Sequence, residues 1–129
     1  MKVNKMNNKN NNFLNIIYDV IQKNSLNLEF IFYKNEDLNE LLDISNKTFK
    51  IILKEWEDNL NNNSAAKVNR TLNSEELKDI NNSKIYVNLT NSELDLNVGL
   101  YKFELISTEN GINNTEIQAT INITESINK

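Results

Sequence analysis

The chain has 129 residues, room for one domain and little more. It contains no His, no Cys and no Pro, and its two Gly are Gly99 and Gly111. Imidazole bases, thiol nucleophiles, zinc thiolates, disulfides and glycine-rich phosphate loops are therefore excluded. The net charge of −4 argues against nucleic acid or an anionic membrane as the main partner.

A hydrophobic share of 39% beside 25% charged residues is globular composition with enough Ile and Leu for a core. The chain carries 28 asparagines, an excess that reads first as the mark of an AT-rich genome. That load supplies by chance several of the seven Asn-x-Ser/Thr sequons, which begin at Asn46, Asn62, Asn69, Asn81, Asn88, Asn113 and Asn122. Met1–Asn12 lacks the apolar run of a signal peptide, and no stretch approaches the ~20 apolar residues of a membrane span. The expectation is a soluble, unglycosylated chain made in the cytoplasm.

In chain order, residues 1–12 are polar and Asn-rich, with Lys2, Lys5 and Lys9 making them mildly basic. They are expected as an extended arm, loose in isolation and a candidate docking element. Leu14, Ile16, Tyr18 and Val20 then alternate with Asn15 and Asp19 as a strand. Leu26, Leu28, Phe30 and Phe32 form one face of a second strand, with Asn27, Glu29, Ile31 and Tyr33 on the other. A polar turn over 35–40 leads to Leu41–Ser45, and a third strand alternates Phe49, Ile51 and Leu53 with Lys50, Ile52 and Lys54.

Trp56 closes that strand before an Asn-rich loop, and Ala66, Val68 and Leu72 suggest a weaker edge strand. Ser74 is expected to cap a short helical turn, and Thr90-Asn91-Ser92-Glu93 fits a capping box. The last third is the clearest. Ile85, Val87 and Leu89 alternate in one strand, and Tyr101, Phe103 and Leu105 in another. Ile117, Ala119, Ile121 and Ile123 form a closing strand, and Asn110-Gly111 is a strong hairpin turn. About seven strands at this spacing predict an all-β fold, an immunoglobulin-like antiparallel β-sandwich over residues 13–126, with a tail at 127–129.

Gly99-Leu100-Tyr101-Lys102-Phe103 is the most informative motif. A loop ending in Gly, followed by a Tyr two residues into a strand, has the form of a tyrosine corner, with Gly99 supplying the backbone conformation. Phe103 falls where antibody domains place a core cysteine. A Tyr in a ligand site is the alternative, and the structural reading is preferred. Trp56 beside acidic residues is a candidate surface for a sugar or protein, or else a rim residue at a strand end. Carboxylates are the catalytic groups that remain: Glu36, Asp37 and Glu40; Glu55, Glu57 and Asp58; Glu75, Glu76 and Asp79. Such clusters in polar loops usually form solvated surface. None stands out as a glycosidase pair, and no Asp-x-Asp-x-Asp-Gly calcium loop occurs. No catalytic residue, cofactor or metal ligand is expected.

The linear order resembles a family. Ile21–Ser25 is similar to a short polar turn, Leu42-Asp43-Ile44-Ser45 to a D-L-[ST] stretch, and Phe49–Lys54 to a charged strand. Ile85–Thr90, Gly99–Leu105 and Ile117–Ile123 match an I-x-[VL]-x-L-[ST], G-x-Y-x-[YF]-[DE]-[LI] and alternating-strand pattern. This is the pattern of an Ig-like domain of phage structural proteins, found at the N-terminus of the baseplate upper protein and in tail and head accessory proteins. The usual Gly and Pro of its first half are missing here.

The resemblance implies a non-enzymatic virion protein made in the host cytoplasm, decorating or cementing the capsid or serving as an adaptor in the tail or baseplate. Its partners would be other virion proteins, a major capsid protein or tail and baseplate proteins, with homo-oligomers possible and no nucleic acid or membrane. A carbohydrate- or cell-surface-binding Ig-like module is the alternative.

Overall fold

A computed structural model of the chain describes residues 2–5, 13–34, 40–56 and 65–126. Within these residues eight strands run in chain order: β1 (Lys2–Lys5), β2 (Phe13–Ile21), β3 (Leu26–Phe32), β4 (Thr48–Glu55), β5 (Val68–Thr71), β6 (Lys84–Leu89), β7 (Gly99–Glu109) and β8 (Ile112–Thr124). They form two sheets, one ordered β1-β3-β6 and the other β2-β8-β7-β4-β5. The protein is an all-β sandwich.

Alternation fixes the inner faces. Leu28, Phe30 and Phe32 of β3 and Ile85, Val87 and Leu89 of β6 are buried, as are Phe49, Ile51 and Leu53 of β4, Tyr101, Phe103 and Leu105 of β7, and Ile117, Ala119, Ile121 and Ile123 of β8. They make one core cluster between the sheets. Phe30 and Phe103 stack across it with ring centroids 6.5 Å apart and planes 10° from parallel. That pair joins β3 of one sheet to β7 of the other at an aromatic-stacking distance.

The β7–β8 hairpin turns on Asn110 and Gly111, both at positive φ (53° and 77°), the left-handed pair that a two-residue hairpin turn requires. Thirteen-residue β8 then spans the sheet, antiparallel to β7 on one side and parallel to β2 on the other.

Two expectations change. The sandwich is not wholly antiparallel: β1 runs parallel to β3 and β2 parallel to β8. The reason is that β2 and β3, though consecutive, lie in different sheets, so β2 meets the last strand instead of its neighbour in sequence. Part of the segment expected as a loose arm is also a strand, since Lys2–Lys5 pairs with Glu29–Phe32. Lys2 and Lys5 bound that strand, whereas Lys9 lies outside the described residues.

Candidate functional site

The structure brings Trp56, Gly99 and Tyr101 together at one end of the five-stranded sheet. With Glu55, Asn97, Val98 and Leu100 they line a shallow groove of about 460 Å³. Register explains the convergence. Glu55 at the end of β4 lies opposite Tyr101, and the Trp56 backbone N–H donates to the Leu100 carbonyl at 3.4 Å.

Gly99 holds φ at +153°, a region that side-chain-bearing residues rarely enter, and nothing lies within 4 Å of where a Cβ would stand. It is needed for its conformation and not for space. The turn it makes lets the Tyr101 hydroxyl donate to the Asn97 carbonyl oxygen at 2.7 Å, four residues upstream. This is the back-bond that defines a tyrosine corner, and it occupies the hydroxyl proton. Burial, followed by the negative charge of Glu55, raises the Tyr101 pKa, so the donor stays protonated. Phe103 stands two residues further along and is fully buried away from the groove.

Trp56 is 39% exposed. Its Nε1–H donates to Thr120 Oγ1 at 3.2 Å, and the Lys102 ammonium lies 5.6 Å from the ring centroid. These contacts orient the indole and leave an edge of it at the groove. Val98 and Leu100, each more than half exposed, form the rim. Chemically the groove offers apolar contact, one indole edge and the Glu55 carboxylate, which Lys67 pairs at 3.6 Å.

The second polar centre escaped sequence reasoning. Arg70 is the only arginine in the chain, and it sits opposite Ile51 on the inward face of edge strand β5. Its Nη1 and Nη2 reach the two Glu76 oxygens at 2.7 and 3.1 Å, and its Nε and Nη2 reach the two Glu93 oxygens at 2.6 and 3.2 Å. Nη2 also donates to the Asn88 carbonyl at 2.9 Å.

Both glutamates are the acids of capping boxes. Thr90 and Glu93 exchange backbone N–H bonds reciprocally at 3.0 and 3.1 Å, and so do Asn73 and Glu76, at the same two distances. The cap of the earlier turn is therefore Asn73 and not Ser74. Its side-chain amide oxygen reaches the N–H three residues on, which the neighbouring position does not. Glu76 is 2% exposed instead of solvated surface. Burial pushes its pKa up, and the Arg70 fork with the Asn88 and Asn73 N–H groups more than reverses this, leaving it below its ordinary 4.5. The bonds to Glu93 and then Glu76 raise Arg70 in turn.

Glu76 also guards an edge. Its carbonyl accepts the Tyr86 N–H and its carboxylate the Asn88 N–H, both at 2.8 Å, so the outer edge of β6 is capped. Beneath that turn lies a groove of about 680 Å³ floored by Asn27, Glu29, Tyr86 and Asn88, where the Lys78 ammonium sits 4.7 Å from the Tyr86 ring centroid. Of the other acidic groups, Glu36, Asp37, Glu57 and Asp58 lie outside the described residues. Among the described residues no three His, Cys, Asp or Glu side chains gather as metal ligands.

No protein-family model and no curated protein matches this sequence. Among solved structures, the N-terminal domain of phage TP901-1 ORF48 superposes on 97% of this chain and 96% of its own length. The TM-score is 0.51 at 13% sequence identity, so what the two chains share is the fold.

Proposed function

We propose that this chain is a non-enzymatic structural protein of a bacteriophage virion, an Ig-like accessory domain that decorates or cements the capsid. A place as adaptor in the tail or baseplate is the second position within the same reading. The observation that carries it is the end-to-end likeness of fold to a phage protein domain, 97% of one chain on 96% of the other. The Tyr101–Asn97 bond and the Phe30–Phe103 stack across the sheets support the Ig-like assignment. Its partners are other virion proteins. The net charge of −4 disfavours nucleic acid and anionic membrane.

The test is mass spectrometry of purified particles from the genome that encodes the chain, followed by immunogold labelling. Stoichiometric presence with label on the head supports the capsid position, and label on the tail moves it to the adaptor. Absence from the particle refutes the reading.

One observation favours a carbohydrate- or cell-surface-binding module instead: Trp56 is 39% exposed beside a groove. That reading predicts a glycan-array ligand whose binding is lost in Trp56→Ala. An empty array disposes of it.

A further inference from the structure

Among the described residues, three sheet edges are protected and the fourth is open. The β6 edge is capped by Glu76, β5 is four residues long with polar Asn69, Arg70 and Thr71, and β1 is four residues bounded by two lysines. The remaining edge is β2, nine residues long, whose only charged residue is Asp19. Even that charge is drawn back over the sheet, because Asn122 Nδ2 donates to Asp19 Oδ1 at 3.0 Å. On either side of it, Ile17 and Ile21 are 63% and 46% exposed. Long apolar edges are what natural sheets avoid unless a strand is meant to pair there.

From this edge we infer that the protein self-associates by antiparallel pairing of β2 with β2 of a second copy, on a two-fold axis at Asp19. The backbone orientation permits it. Gln22 N–H bonds to the Thr124 carbonyl at 2.8 Å, so even-numbered residues of this stretch face β8 and Ile17, Asp19 and Ile21 present their backbone groups outward. Pairing centred on Asp19 forms two bonds between the Asp19 residues and one from each Ile21 N–H to the other copy's Ile17 carbonyl. None of the four needs the Ile21 carbonyl, which already accepts from Asn24 at 3.0 Å.

The side chains choose the occupant. Ile17 and Ile21 lie two residues either side of Asp19, so this axis sets each exposed isoleucine opposite the other's counterpart, a self-complementary patch of four. Each Asp19 carboxylate stays tethered to its own Asn122, which lowers the repulsion at the axis. Two five-stranded sheets become one of ten strands.

Sedimentation equilibrium of the full chain over ~10 µM to ~1 mM tests this, a range suited to an interface smaller than the standard size. The expected result is a monomer–dimer equilibrium. Ile17→Lys should weaken it by at least ~tenfold through the lost apolar contact. Ile112→Lys, at the most exposed large apolar residue among those described but on the far hairpin, should leave it unchanged within ~twofold.

The chain has no Cys, so engineered thiols report the register cleanly. Asp19→Cys should form a disulfide dimer on mild oxidation, since residues opposite each other lie ~5.5 Å apart. Ile17→Cys should not cross-link to itself but should pair with Ile21→Cys when the two are mixed. A monomer throughout the range, a dimer that survives Ile17→Lys or is lost in Ile112→Lys, or Ile17→Cys cross-linking to itself would overturn the inference.

Discussion

Replacing Arg70 by Met tests how the sandwich is held at its β5 edge. The substitution keeps most of the side-chain volume and removes the fork that binds Glu76, Glu93 and the Asn88 carbonyl. Deleting one partner of a buried ion pair costs about 3–5 kcal/mol, because the other charge stays desolvated and alone. Arg70 is itself 28% exposed, and Glu76 keeps the Asn73 and Asn88 N–H donors, so the expected loss is about 3 kcal/mol. Against a total stability of about 5–15 kcal/mol that is a large fraction, visible as a fall of roughly 10 °C in Tm. Urea unfolding followed by Trp56, the only tryptophan, measures it.

The pH dependence separates this cause from a simple loss of packing. Glu76 titrates below its ordinary 4.5 in the folded wild type, so its contribution is complete above that value and is lost as pH falls through the folded pKa. Without Arg70, burial is opposed only by the Asn73 and Asn88 N–H groups, so the folded pKa should rise relative to wild type. The variant then loses less stability than wild type as acid protonates this carboxylate. The difference between wild type and Arg70→Met should therefore shrink as pH drops from about 6 toward about 3. A loss under about 1 kcal/mol near neutral pH, or a difference that widens in acid, would refute the reasoning.

Tyr101→Phe removes the bond to the Asn97 carbonyl and should cost about 0.5–1.5 kcal/mol in chemical denaturation, the net worth of one hydrogen bond. Thr90→Ala removes the acceptor for the Glu93 N–H and should cost about 1 kcal/mol in the same assay. Tyr18→Phe should behave in the opposite way. The Tyr18 hydroxyl is buried without a hydrogen-bond partner among the described residues, so deleting it should leave stability unchanged or slightly higher near neutral pH. Burial pushes the Tyr18 pKa up to about 12 from 10.0, so wild type should lose stability as pH rises through that interval. Spectrophotometric titration and alkaline melts of the variant should lack that component.

What was legible from the sequence was whatever alternation alone decides. Phe49, Ile51 and Leu53 against Lys50, Ile52 and Lys54 announce a strand, and Asn110-Gly111 announces the left-handed turn that the backbone adopts. The Gly99-x-Tyr101 motif is legible for the same reason: φ at Gly99 and the reach of a tyrosine hydroxyl are local geometry. Pairing partners are not local. Nothing in Phe13–Ile21 says that it runs parallel to β8 about a hundred residues later, and Lys2–Lys5 carries no apolar alternation to mark it as a strand. By sequence Glu76 belongs to a solvated polar cluster, since its neighbours Glu75 and Asp79 are polar. Its burial depends on Arg70, six positions earlier and on the opposite sheet. A usable signal did exist, in one arginine among thirteen lysines and in two boxes ending in Glu, at Asn73–Glu76 and Thr90–Glu93.

A sandwich without Cys must tie its sheets by other means, and three unlike ties do so here. The Phe30–Phe103 stack crosses the middle, the Arg70 fork joins β5 to β6 and to the turns at Glu76 and Glu93, and the Tyr101 bond pins the loop that enters β7. Each engages side chains in the framework itself: Tyr101 commits its hydroxyl proton to Asn97, and one guanidinium binds both Glu76 and Glu93. Among the described residues, two of the surfaces left over are apolar: the β2 edge with Ile17 and Ile21, and the groove rimmed by Val98 and Leu100. A strand edge and an apolar rim are features recognised by backbone pairing and by shape.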